Sequence, residues 1–89
     1  MDKIERIPTG DLSYWRDRLL TSPPSCVLGD ISKKYNIGKS ELAIMLEDLY
    51  CEVDLPQVQA IWHWDINKSG KGLDDREIDE IIGKLRLRE

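Results

Sequence analysis

Histidine occurs once in these 89 residues (His63), cysteine twice (Cys26 and Cys51), and no apolar run approaches the roughly 18 residues of a membrane span. Two cysteines are too few for a disulfide framework at this size, and lone thiols fit a reducing compartment. As a metal set, Cys26, Cys51 and His63 lack the paired close spacing of a zinc site. Strand alternation, internal repeats and low-complexity runs are missing too, so no strand is available to lead into a glycine-rich phosphate loop. The opening Met1-Asp2-Lys3-Ile4-Glu5-Arg6 places charges where a secretory leader needs a continuous apolar stretch. The expectation is a cytoplasmic protein with no export signal, no membrane association and no cofactor. One further absence is local: from Glu41 to Asp65 there is no lysine or arginine.

What is present fits one small domain over residues 1–89. Apolar residues make up 40% of the chain and charged residues 34%, enough for a single core and too apolar for a disordered acidic tail. The net charge of −4 is unevenly spread. Residues 1–40 carry a net +2 and residues 66–89 are balanced, while the stretch between holds six acids (Glu41, Glu47, Asp48, Glu52, Asp54 and Asp65).

Apolar spacing predicts an all-α fold, a small orthogonal bundle of about five short helices. Residues 1–10, with Pro8 and Gly10, read as a flexible arm. A first helix opens near Thr9 to Asp11 and buries Leu12, Trp15 and Leu19; Pro23-Pro24 then makes a stiff connection. A second helix, about 26–35, turns Val27, Leu28, Ile31 and Tyr35 inward. Asn36-Ile37-Gly38 forms a tight turn that uses the left-handed tolerance of Asn36 and Gly38, and Ser40 caps the third helix, about 40–53. Leu42, Met45, Leu46, Leu49 and Val53 are its core stripe. Asp54 with Gln57, and Asp74 with Glu77, are two capping boxes that open a fourth helix to about Asp65 and a fifth over about 74–87. The fourth should turn Val58, Ile61 and Trp62 inward. The fifth should bury Ile78, Ile81, Ile82 and Leu85 and pair Glu80 with Lys84 outside.

Three motifs bear on function. Asp30 to Leu46 resembles the helix-turn-helix of DNA-binding proteins: Ile31 and Tyr35 take the apolar sites of the first helix and Ser32 the small-residue site. Asn36 and Ile37 take the turn positions, and Leu42, Met45 and Leu46 the inward face of the second helix. That resemblance implies DNA binding through Lys33, Lys34, Lys39 and Ser40. Against it, Glu41, Glu47 and Asp48 share the reading helix, where phosphate neutralisation needs cations. Second, Asp65-Ile66-Asn67-Lys68-Ser69-Gly70 resembles the opening of an EF-hand calcium loop, which implies ligands from Asp65, Asn67, Ser69 and, one place late, Glu77. The twelfth residue is Arg76, and a left-handed cap at Gly70 followed by the second capping box accounts for the same residues without metal.

Third, a helical wheel gathers Glu41, Ile44, Glu47, Asp48, Cys51 and Glu52 opposite the core stripe of the third helix, and Trp64 falls off the stripe of the fourth. An aliphatic anchor rimmed by like charge suits a partner with a basic surface. The expected function is accordingly a non-enzymatic protein-protein interaction module, of the small inhibitor or immunity-protein type that covers the cationic site of another protein. The binding residues would be Glu41, Ile44, Glu47, Asp48, Glu52 and Trp64. An enzyme is not expected: Cys51 and His63 lack an orienting group and a pocket.

Overall fold

A computed structural model describes residues 7–88. Five helices form, α1 (Thr9–Thr21), α2 (Pro24–Tyr35), α3 (Lys39–Leu49), α4 (Leu55–His63) and α5 (Asp75–Ile82), joined by a two-stranded ladder of β1 (Tyr50–Cys51) and β2 (Arg86–Leu87). The small all-α bundle expected from periodicity is thus present, and one buried cluster holds it together. The elements α2, α3, α4 and α5 contribute Leu28, Ile31, Leu42, Met45, Leu46, Ile61, Ile78 and Ile82, all fully buried; α1 adds Trp15. Fully burying one such side chain is worth about 1.5–3 kcal/mol, so this cluster is the main source of stability.

The arm reading fails from Ile7 onward. Ile7 is 4% exposed within the core, its N–H donates to Asp48 Oδ2 at 3.3 Å, and Pro8 already caps α1. Residues 1–6 lie outside the described residues. The double proline starts α2 rather than separating it: Pro23 is the N-cap and Pro24 sits in the first turn, where a missing N–H is harmless. Pro23 offers no side-chain acceptor, and α5 supplies one instead. Asp79 accepts from Ser25 N at 2.7 Å and from Ser25 Oγ at 3.1 Å.

Between α2 and α3, Asn36 takes the left-handed conformation (φ 52°), and the Ile37 N–H returns to Ser32 O at 3.0 Å while Ser32 Oγ donates to Ile37 O at 2.7 Å. Gly38 does not share that role: it is extended (φ −96°) and is itself the N-cap of α3, so Ser40 lies inside the helix and caps nothing. The helix ends at Leu49, four residues earlier than its apolar spacing suggested. Tyr50 and Cys51 pair antiparallel with Leu87 and Arg86, and Arg88 N donates to Leu49 O at 3.0 Å. The same pairing shortens α5, which stops at Ile82 instead of near residue 87. Lys84 is therefore outside the helix, and Glu80 meets Arg76 at 3.7 Å.

Both capping boxes form as their sequences require. The segment from Trp64 to Asp74 then closes on itself through a parallel bridge, with Leu73 N donating to His63 O at 2.8 Å and Asp65 N to Leu73 O at 2.7 Å. Gly72 makes that closure possible. Its φ is +109°, and a Cβ there would stand 2.4 Å from His63 O.

Candidate functional site

The outer arc of α3 carries Ser40, Ile44 and Glu47, all exposed, with Ile44 at 45%. Glu52 follows just past β1, exposed and with positive φ (56°). Ile44 and Glu47 occupy the outer surface that the wheel assigned them, and Glu52, past the helix end, is exposed off the helix. Two neighbours depart from it. Asp48 is half-buried and works inside the chain, its carboxylate taking the Ile7 N–H and its carbonyl taking Arg16 Nη2 at 2.9 Å. Glu41 is half-buried, its carboxylate beside Gly38 at the start of α3, where the helix dipole favours an anion. The backbone of Glu47 is held by Arg88 Nε, which leaves its carboxylate in solvent.

The two tryptophans of α4 exchange the roles expected of them. Trp64, expected as a surface anchor, is 2% exposed and part of the core; Trp62, expected inward, is 51% exposed. The wheel misplaced Trp64 because α4 ends at His63: Trp64 is the C-cap with extended ψ (130°), so its side chain leaves the helical progression and enters the core. Its indole N–H finds Asp75 Oδ1 at 2.9 Å, satisfying the one polar atom a buried Trp carries. With Trp62 outside, α4 presents Leu55 (57% exposed), Val58, which is half-buried and packs on the core, and Trp62 at i, i+3 and i+7. Because α4 packs on α3, this stripe and Ile44 belong to one pair of helices, the pair that carries the cation-free stretch.

The helix-turn-helix pair forms, but its cations are dispersed. Lys34 lies over the rings of Tyr14, Trp15 and Tyr35 at 5.7–6.0 Å, on the α1 side. Lys39 Nζ donates to Trp62 O at 3.3 Å. Trp15 Nε1 donates to Tyr35 Oη at 3.0 Å, and Tyr35 in turn donates to Asp11; burial first and the Asp11 contact second push the Tyr35 hydroxyl above its ordinary range. That cluster anchors α1 to α2. Of the four residues implied in DNA contact, only Lys33 and Ser40 are exposed and without a cation–π or hydrogen-bond partner among the described residues.

Of the residues implied in calcium binding, Asp65 and Ser69 meet, while Glu77 is engaged elsewhere. Asp65 accepts from Ser69 N, Ser69 Oγ and Gly70 N at 2.7–2.8 Å, contacts that hold its carboxyl below the ordinary aspartate range, the Ser69 hydroxyl foremost. Glu77 is turned away into the cap of α5, its Oε1 taking the Asp74 N–H. Asp75, not singled out from the sequence, is the acid beside this loop, and Lys68 already pairs with it. Lys68 foremost, then Trp64, lowers the Asp75 carboxyl below its ordinary range. Among the described residues no three of His, Cys, Asp and Glu converge to hold a metal ion. The loop is built as a self-bonded turn.

Cys26 is exposed beside Arg18 (Sγ to Nη2, 3.9 Å), Cys51 lies in β1, and His63 is exposed at the end of α4. Compared with known proteins, the chain matches no family model, no curated protein and no solved structure. Among the described residues, no helix is long and apolar enough to cross a membrane.

Proposed function

We infer that this chain is a non-enzymatic protein-binding module, of the small inhibitor or immunity-protein kind, that covers a basic site on another protein with the outer side of α3 and α4. The observation that carries this is the coincidence of two features on one helix pair. Ile44, Leu55 and Trp62 stand in solvent, and the 25 residues from Glu41 to Asp65 carry six acids and no lysine or arginine of their own, while Arg88, Arg16 and Lys39 from outside the stretch reach the backbone carbonyls of Glu47, Asp48 and Trp62. Exposed apolar anchors are where interface energy concentrates, Trp above all, and a rim of one charge sign steers and selects a partner of the other. Ile44, Glu47, Glu52 and Trp62 are the binding residues on this reading. Asp48 and Glu41 stabilise the fold beneath them, and Trp64 is core.

DNA binding through α2 and α3 is the weaker reading. Affinity for duplex DNA depends on lysines and arginines laid along phosphates, and here Lys34 rests on aromatic rings, Lys39 on a carbonyl, and Glu47 occupies the reading surface.

The test is capture of partners on the immobilised chain, followed by identification of the retained proteins. The expected partner is a basic protein released by salt, retained by the wild type and lost from Ile44→Arg combined with Glu47→Lys and from Trp62→Ala, with circular dichroism unchanged. Retention that ignores these three positions would refute the assignment.

A further inference from the structure

A second feature lies outside the exposed arc of Ile44, Glu47 and Trp62. A groove of about 490 Å³ runs between α2, the start of α3 and the 64–75 segment. Three lysines from three separate elements line it: Lys33 from α2, Lys39 from α3 and Lys68 from the self-bonded loop. Two carboxylates line it as well, and both are already satisfied. Asp30 is held by Arg18 at 2.6 Å, and Asp75 by Lys68 and by Trp64 Nε1. Neither Lys33 nor Lys39 pairs with a carboxylate among the described residues, so the groove has a surplus of positive charge in a molecule of net charge −4. Gly38, at the start of α3, also lines the groove, but the Glu41 carboxylate already stands beside it at the positive end of that helix. The rest of the wall mixes apolar Ile37, Ile66 and Trp64 with polar Ser25, Ser32 and Asn67.

We propose that the groove binds a small organic phosphate, its phosphoryl group held by Lys33 and Lys39 and its apolar body lying on Ile37 and Ile66. The groove volume falls in the range of small-ligand sites, and a mixture of apolar wall with a few converged polar groups is what such sites share. A nucleic acid fits less well. An extended polyanion needs cations along a track, whereas here they converge in one concavity. Asp74, Asp75 and Glu77 stand at the start of α5, where Asp75 lines the groove and would repel further phosphates. This site does not depend on the acidic surface of α3 and α4.

The experiment is an amide NMR titration of the full chain with phenyl phosphate, inorganic phosphate and a duplex DNA oligonucleotide. The expected result is saturable shifts confined to the amides of Lys33, Gly38, Lys39, Asn67 and Lys68, with phenyl phosphate binding more tightly than inorganic phosphate. Lys33→Glu should weaken phenyl phosphate about tenfold or more, since a charge-assisted hydrogen bond is lost and a repulsion gained. Lys33 is exposed and makes no hydrogen bond or ion pair among the described residues, so the fold should tolerate this variant. Lys84→Glu makes the same change in net charge outside the groove and should leave the affinity as it is. Non-saturable shifts, equal weakening by Lys84→Glu, equal affinity for inorganic and phenyl phosphate, or tighter binding of the DNA at these amides would each overturn the proposal.

Discussion

The cap that α5 provides for α2 can be removed with one substitution, Asp79→Ala. Ser25 is buried, and its N–H and hydroxyl both donate to the Asp79 carboxylate, at 2.7 and 3.1 Å. Removing a side-chain cap costs about 0.5–2 kcal/mol in general. Here the abandoned donors are shielded from water, and an unsatisfied buried donor costs about 1–3 kcal/mol. The expected loss is therefore about 2–3 kcal/mol, which for a domain of this size is a fall of roughly 10–20 °C in Tm. Asp79→Asn keeps an acceptor for one of the two donors and should lose about half as much. Urea unfolding followed by tryptophan fluorescence gives both values, and combining Asp79→Ala with Ser25→Ala tests whether the loss is shared. If Asp79→Ala stays within about 0.5 kcal/mol of the wild type, the usual range for an uninvolved surface position, α2 does not depend on this carboxylate and the reasoning fails.

Gly72→Ala should destabilise by more than about 2 kcal/mol in thermal unfolding, because the new Cβ meets the His63 carbonyl at 2.4 Å and the backbone is left-handed. Gly29→Ala, where a Cβ meets nothing within 4 Å and the glycine is helical, should instead be neutral or stabilising by up to about 1 kcal/mol. The Asp65 and Asp75 carboxyls should titrate below ordinary aspartates in a carbon-detected NMR series, and Ser69→Ala should bring Asp65 back up while leaving Asp75 in place. Since both folded-state values are depressed, their contribution to stability is present above the unfolded aspartate value of about 3.9 and disappears as pH falls through the folded values. Acid unfolding of Lys68→Met should accordingly begin at higher pH than that of the wild type. Trp62→Ala should cost less than about 1 kcal/mol and Trp64→Ala about 3–5 kcal/mol in urea, the reverse of the ranking that helical periodicity alone gives.

Local signals were legible wherever the interaction that decides a feature is itself local. The Asp54 and Asp74 capping boxes involve residues three apart, so their presence follows from the chain order, and both form. The left-handed turn at Asn36 and the stripe of Leu42, Met45, Leu46 and Leu49 are of the same kind. Helix ends without a local signal were misread. The spacing of Val53 continues the α3 stripe, yet the chain leaves the helix at Leu49 because the backbone of residues 86–88 offers hydrogen bonds to residues 49–51, and nothing near either segment announces the other. Asp79 and Ser25 are likewise 54 positions apart.

By itself, then, the sequence determined that this protein is a helical bundle, which residues form most of its core, and that all its excess negative charge falls in one central stretch. Only the tertiary structure decided that Trp62 rather than Trp64 stands in solvent, and that Asp48 is spent on Ile7 and Glu77 on a cap. It also decided that Lys33, Lys39 and Lys68 meet in one groove. The physical reason is range. Helix periodicity and capping are set within a turn or two of backbone, whereas the direction of a side chain beyond a helix end, and the company of a charge, depend on which distant segment packs beside it.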